Sequence, residues 1–148
     1  EAQKSSVNGM RHLSASPTWQ PSYGVRFDSS TGSDSDGPLN KRFIYFADFD
    51  NDLNYDGSST CSIECLDKIG ITKNNYISRI DRCENADCFP PASINNPISV
   101  FFKRPDSRAI FSGVVLADLS NYIQITVSSP NGATALIKLY PSGRIQVN

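Results

Sequence analysis

The sequence predicts an α+β domain in which an N-terminal helix packs on antiparallel sheet. Three observations carry that expectation. Val7, Met10 and Leu13 recur every third residue in an otherwise polar opening, the spacing of one helix face. From Tyr23 onward, short runs rich in aromatic and β-branched residues are punctuated by Ser, Gly, Asp and Pro, as strands are by turns. At the C-terminal end, two Pro-x-Gly turns separate runs that alternate apolar and polar residues, which is the pattern of an antiparallel meander.

The elements follow in order. Residues 1–13 form a helical stub, which Pro17 and Pro21 would end. Tyr23–Asp28 alternates, with Tyr23, Val25 and Phe27 on one face. Residues 29–40, rich in Ser, Gly and Asp, read as an exposed loop. Arg42–Phe49 is a strand by its aromatic content, and residues 50–57 are an acidic turn. Residues 62–70 are compatible with a short helix, 76–80 with a short strand, and 81–96 with irregular chain. Strands are expected at 98–103 and 108–116. In the meander, Ile123, Ile125 and Val127 share a face with Ala135, Ile137, Leu139, Ile145 and Val147, opposite Gln124, Thr126 and Lys138. That face is expected to be buried. The whole of 1–148 reads as one domain, with the β-rich part at 23–148.

Composition limits the function. The chain has 148 residues, a hydrophobic content of 39% and a net charge of −1, so it can build a core and lacks the basic excess of most nucleic-acid binders. No apolar run approaches the roughly 20 residues that cross a bilayer as a helix. The sequence has no P-loop, GxGxxG, HExxH or GxSxG motif. The one histidine, His12, lies in the N-terminal stub, where a catalytic base would not be held. The chain is therefore expected not to be an enzyme.

The 4 cysteines, Cys61, Cys65, Cys83 and Cys88, are even in number and clustered, which fits two disulfides in an oxidising compartment. Spacing leaves the three connectivities open. A zinc site is the alternative, but neither pair has two-residue spacing and the one histidine is distant.

The run Asp48, Asp50, Asp52, Asn54, Asp56 places an oxygen-bearing side chain at every second position, a ligand type that suits calcium. An EF-hand loop starting at Asp48 would put Leu53 where glycine is needed and Ser59 where a bidentate glutamate is needed. The other reading is a turn whose carboxylates cap backbone amides. Both readings stand at the level of sequence.

Four stretches taken in order resemble type IV pilin-like proteins of the GspH/FimT-like minor group. They are Tyr23–Asp28, Phe43–Asp52 leading into Asn54-Tyr55-Asp56, Val100–Asp106, and Tyr140-Pro141-Ser142-Gly143-Arg144-Ile145. The resemblance implies a pilin-like head whose apolar anchoring helix precedes the sequence. It implies a structural minor pilin or pseudopilin of a type IV pilus or type II secretion pseudopilus. Such a subunit is anchored in the inner membrane, is extracytoplasmic, and packs against other pilins or pseudopilins in a filament. It also implies a DNA-uptake alternative, in which Lys138 and Arg144 contact phosphate beside Lys103, Arg104 and Arg108, although Gln146 stands where a further arginine is expected. A pilus-tip binding module and a secreted β-rich enzyme with an unrecognised site are the remaining alternatives.

Overall fold

In a computed structural model the chain is described over residues 2, 21–57, 61, 63–84, 87–89, 97–103, 108–112 and 121–148. These residues form twelve strands: β1 (Ser22–Phe27), β2 (Ser33–Asp34), β3 (Gly37–Pro38), β4 (Arg42–Asp48), β5 (Cys65–Gly70), β6 (Tyr76–Glu84), β7 (Asp87–Phe89), β8 (Ile98–Phe102), β9 (Ala109–Ser112), β10 (Tyr122–Ser128), β11 (Thr134–Leu139) and β12 (Ile145–Val147). The first five-stranded sheet runs β5-β4-β1-β8-β9, the second runs β12-β11-β10-β6-β7, and β2-β3 is a separate hairpin. Every pairing is antiparallel.

The fold is all-β, and this corrects the α+β expectation. From residue 21 onward, the described residues hold one helical element, a 3-10 turn at Leu39–Lys41; Ala2 is helical, and its neighbours lie outside the described residues. A pilin head needs an N-terminal helix packed on its sheet. Here two five-stranded sheets supply the core between them, so the type IV pilin-like assignment is corrected with the fold class. Apart from Ala2, which is buried in the main core, the expected stub at 1–13 lies outside the described residues, as does His12.

One core joins the two large sheets. Tyr23, Ala47, Ile98, Val100, Phe102 and Ala109 of the first sheet pack with Ile77, Ile80, Ile123, Ile125 and Leu139 of the second. The meander has the expected register: Ile123 faces Leu139, Ile125 faces Ile137, Val127 faces Ala135, and Leu139 faces Ile145. Burial along that face is not uniform. Ile123 and Ile125 are fully buried, but Ile145 is 53% and Val147 67% exposed. The reason is position: β12 is the outermost strand, and its apolar face runs past the core.

The middle of the first sheet is buried on both faces, which explains why Arg42–Phe49 is apolar nearly throughout. Tyr45 and Ala47 point to the shared core, while Ile44 and Phe46 form a second cluster with Phe101, Tyr55, Leu53 and Cys65 on the other face. Gly24 sits between two aromatics there, paired with Phe46 on one side and Phe101 on the other. A methyl group at Gly24 would collide with the Phe46 ring. Phe46 meets Phe101 edge to face at 5.1 Å between centroids, a favoured aromatic geometry.

Two further elements differ from expectation. Residues 65–70, within the span compatible with a short helix, are strand β5, because Phe43 and Arg42 of β4 offer an open edge to Ile69 and Gly70. Strand β6 continues to Glu84 and turns into β7, so part of the expected irregular region is a hairpin. Strand β9 is described only to Ser112, and the rest of its expected span lies outside the described residues.

Candidate functional site

The acidic run after β4 folds back over the outer face of the first sheet. Strand alternation places Arg42, Ile44, Phe46 and Asp48 on that face. Tyr55 covers it, its ring 4.9 Å from that of Phe46. Two buried carboxylates hold the loop in place. Asp48 accepts the amides of Asn51 at 2.6 Å and Leu53 at 3.1 Å. Glu64, which enters from the start of β5, accepts the amides of Phe49 at 2.8 Å and Asp56 at 2.9 Å. Its own carbonyl accepts the Ala47 amide at 2.9 Å, which extends the sheet contact to this residue.

The backbone shows why this anchoring is needed. Asn51 and Leu53 adopt positive φ, 65° and 62°. Asparagine tolerates that region, but leucine does so at a cost of about 1–2 kcal/mol. The Asp48 carboxylate bonds the amides of both residues, and Leu53 packs into the second cluster.

Burial raises the proton affinity of both carboxyls. Asp48 is pushed up to about 6, first by loss of hydration and also by the nearby Glu64 charge, against the opposing pull of the Leu53 and Asn51 amides. Glu64 is raised for the same first reason, opposed by its two amide donors. Asp52, at the loop surface, is held below its ordinary value by Asn54.

Oxygens of Asp48, Asp50 and Asp52 gather within 4.8 Å of one another. Both Asp48 oxygens already bond backbone amides, Asp50 accepts the Asp52 amide at 3.2 Å, and Asp52 accepts the Asn54 amide at 2.7 Å. The Asn54 side-chain amide turns to Asp52 at 3.0 Å, and the backbone of Asp56 is tied to Glu64. The geometry is that of a capped turn, and we assign no cation to it.

Beside the loop is a recess of about 120 Å³ lined by Arg26, Asp28, Leu39, Arg42, Ile44, Tyr55 and Gly57. Arg26 stands opposite Ile44 across the β1–β4 ladder, and Arg42 is the next residue of β4 on the same face, so the two arginines are diagonal neighbours. The Arg26 guanidinium lies 5.0 Å from the centre of the Tyr55 ring. Arg42 is buried and pairs through Nη2 with Asp34 of the hairpin. Its Nη1 is buried and has no hydrogen-bond partner among the described residues.

These residues were not singled out in the sequence. Arg26, Arg42, Tyr55 and Glu64 come from four separate segments, so no local spacing links them. The available signal was Arg42–Phe49 itself: a strand that is apolar on both faces needs a cover on each, and the following loop is the nearest candidate.

The other sequence-derived sites fall elsewhere. The cysteines form two disulfides, Cys61–Cys65 and Cys83–Cys88, and no described cysteine is free. The zinc alternative is thereby set aside. Cys83 and Cys88 face each other across the β6–β7 hairpin. Lys138 and Arg144, the residues of the DNA-uptake alternative, each lie against one ring of a single aromatic pair. Lys138 lies 4.9 Å from the centre of the Tyr122 ring and Arg144 lies 3.8 Å from that of Tyr140, with the two rings 5.1 Å apart. Both cations thus rest on aromatic faces. Lys103 is exposed at the end of β8, Arg108 is exposed before β9, and Arg104 lies outside the described residues.

The disulfides fit a secreted or extracytoplasmic protein. Among the described residues no helix is long and apolar enough to cross a membrane. Comparison with protein-family models, with curated proteins and with solved structures returns no match.

Proposed function

We propose that this chain is a non-catalytic binding module of an oxidising, extracytoplasmic compartment, and that the recess beside the acidic loop is where it binds. One observation carries the reading. A surface loop of ten residues, from Asp48 to Gly57, is fixed over a sheet face by two buried carboxylates that accept four of its amides. Loops that ride on a rigid scaffold are the usual carriers of recognition, and holding a loop in one shape lowers the entropy lost on binding. The two disulfides and the doubly covered middle of the first sheet supply that scaffold.

The test is a nuclear magnetic resonance screen of the isotope-labelled protein against a library of small organic acids, amines, saccharides and short peptides. Binding at the recess perturbs Arg26, Arg42, Tyr55 and Gly57 together. Perturbations that are absent, or that never cluster on these residues, contradict the reading.

A further inference from the structure

We infer that the recess accepts an oxyanion, a carboxylate or a sulfate- or phosphate-type group, carried on a small apolar body. The inference rests on the reading of the recess as the binding site and names the ligand class for it.

The first argument is the count of donors. Arg26 and Arg42 each bring a guanidinium with five N–H donors and no acceptor. In the wall of the recess the opposing charge is Asp28, and one Asp28 oxygen is taken by the Ser30 amide at 2.7 Å. Asp34 occupies one arm of Arg42 and leaves the Nη1 arm without an acceptor among the described residues. A buried donor on a charged group that makes no bond is costly, so an acceptor that enters the recess is rewarded beyond the value of an ordinary hydrogen bond. Nη1 is buried as the guanidinium stands, so an acceptor in the recess reaches it when the guanidinium turns.

Geometry is the second argument. Diagonal neighbours on one sheet face, Arg26 and Arg42 can converge on a single group. Planar guanidinium forks match the oxygen spacing of carboxylate and of tetrahedral oxyanions. Loss of hydration disfavours the Arg26 charge more than the nearby Asp28 restores it, so an incoming anion regains what burial removes. Chemistry of the walls is the third. Leu39, Ile44 and the Tyr55 ring give the recess an apolar side, which a bare inorganic ion would leave uncovered. Its volume of about 120 Å³ has room for several waters, hence for a small organic acid.

The experiment titrates the labelled protein with sodium salts of acetate, benzoate, sulfate and phosphate, at ionic strength matched with chloride, and follows the arginine side-chain N–H signals. Benzyl alcohol serves as the neutral probe. Two variants accompany it. Arg42→Lys keeps a cation for Asp34 but loses the Nη1 arm, and Arg26→Gln leaves the Arg42–Asp34 pair untouched. The expected result is saturable perturbation of Arg26 and Arg42 by the anions, with benzoate tighter than acetate. Each variant then weakens binding at least about tenfold, the loss of one charge-assisted bond. The ranking of the carboxylate pair against sulfate and phosphate identifies the head group. Anions that give no saturable response, or bind both variants as tightly as the parent, overturn the inference. If benzyl alcohol perturbs the recess while no anion does, the recess remains the binding site and the anion falls. If neither perturbs it, both readings fall.

Discussion

Asp48 and Glu64 are sixteen positions apart in sequence, yet their buried carboxylates grip the same loop, one from the end of β4 and the other from the start of β5. The first prediction concerns pH. The folded-state proton affinity of Asp48 is raised to about 6, so the folded chain holds this proton more tightly than the unfolded chain, in which an aspartate titrates near 3.9. Ionisation of Asp48 therefore costs stability. The cost is absent below about pH 4, grows through the window from about 4 to 6, and persists above it, amounting to about 1–3 kcal/mol. Glu64, raised as well, acts in the same direction. Asp34, Asp36 and Asp52 are lowered and act oppositely, since their support is lost as pH falls below the ordinary carboxylate range. Urea denaturation is expected to show higher stability at pH 5 than at pH 7.5, with a smaller difference in Asp48→Asn. A parent protein more stable at pH 7.5 would count against this.

Gly24 is the second point of test. Its missing side chain is the space in which the Phe46 ring lies. Gly24→Ala is expected to destabilise the protein by about 1–3 kcal/mol, the range for overpacked sites, as read from the denaturation midpoint. Unchanged stability would mean that Phe46 does not lie across this position.

The third prediction concerns the disulfides. Proteolytic mapping without reduction should recover Cys61 linked to Cys65 and Cys83 linked to Cys88, and no cross-linked pair between the two groups. Each closes a loop of only a few residues, so the double change Cys83→Ala with Cys88→Ala is expected to cost about 2 kcal/mol by loss of loop-closure entropy. Recovery of a Cys61–Cys88 or Cys65–Cys83 peptide would contradict the fold around β5 and β7.

Within the meander, Ile123→Ala is expected to cost about 2–5 kcal/mol, because Ile123 is fully buried in the shared core. Ile145→Ala, on the same face but at the sheet edge, should change stability by less than about 0.5 kcal/mol. Equal costs would show that β12 is covered after all.

This last contrast marks how far the sequence could be read. Period-2 alternation and two Pro-x-Gly turns set the faces and the register of β10 to β12, because a one-residue slip would reverse every side chain. They could not show that β12 is an edge, since alternation carries no information about which strand lies outermost. Residues 62–70 were ambiguous because a short segment with few apolar residues fits either period, and the free edge of β4 decided it. The acidic run was visible as a cluster, but its anchor Glu64 was not, because a carboxylate that caps a distant loop looks like any other in sequence. The recess was invisible for the same reason: Arg26 and Arg42 meet only through the β1–β4 ladder. The helix-on-sheet expectation failed because a sequence of strand and turn words cannot say whether a helix or a second sheet covers the first.

The central claim is that a surface loop is held rigid over the sheet by two buried carboxylates, and native-state amide hydrogen exchange tests it most directly. The amides of Phe49, Asn51, Leu53 and Asp56 are bonded to Asp48 and Glu64, so they should exchange slowly, through the larger opening that also frees β4. In Glu64→Ala, which removes both acceptor oxygens, the Phe49 and Asp56 amides should lose protection while Ile123 and Ile125 in the core keep theirs. Exchange of all four loop amides at the rate of an unfolded chain in the parent protein would contradict the account.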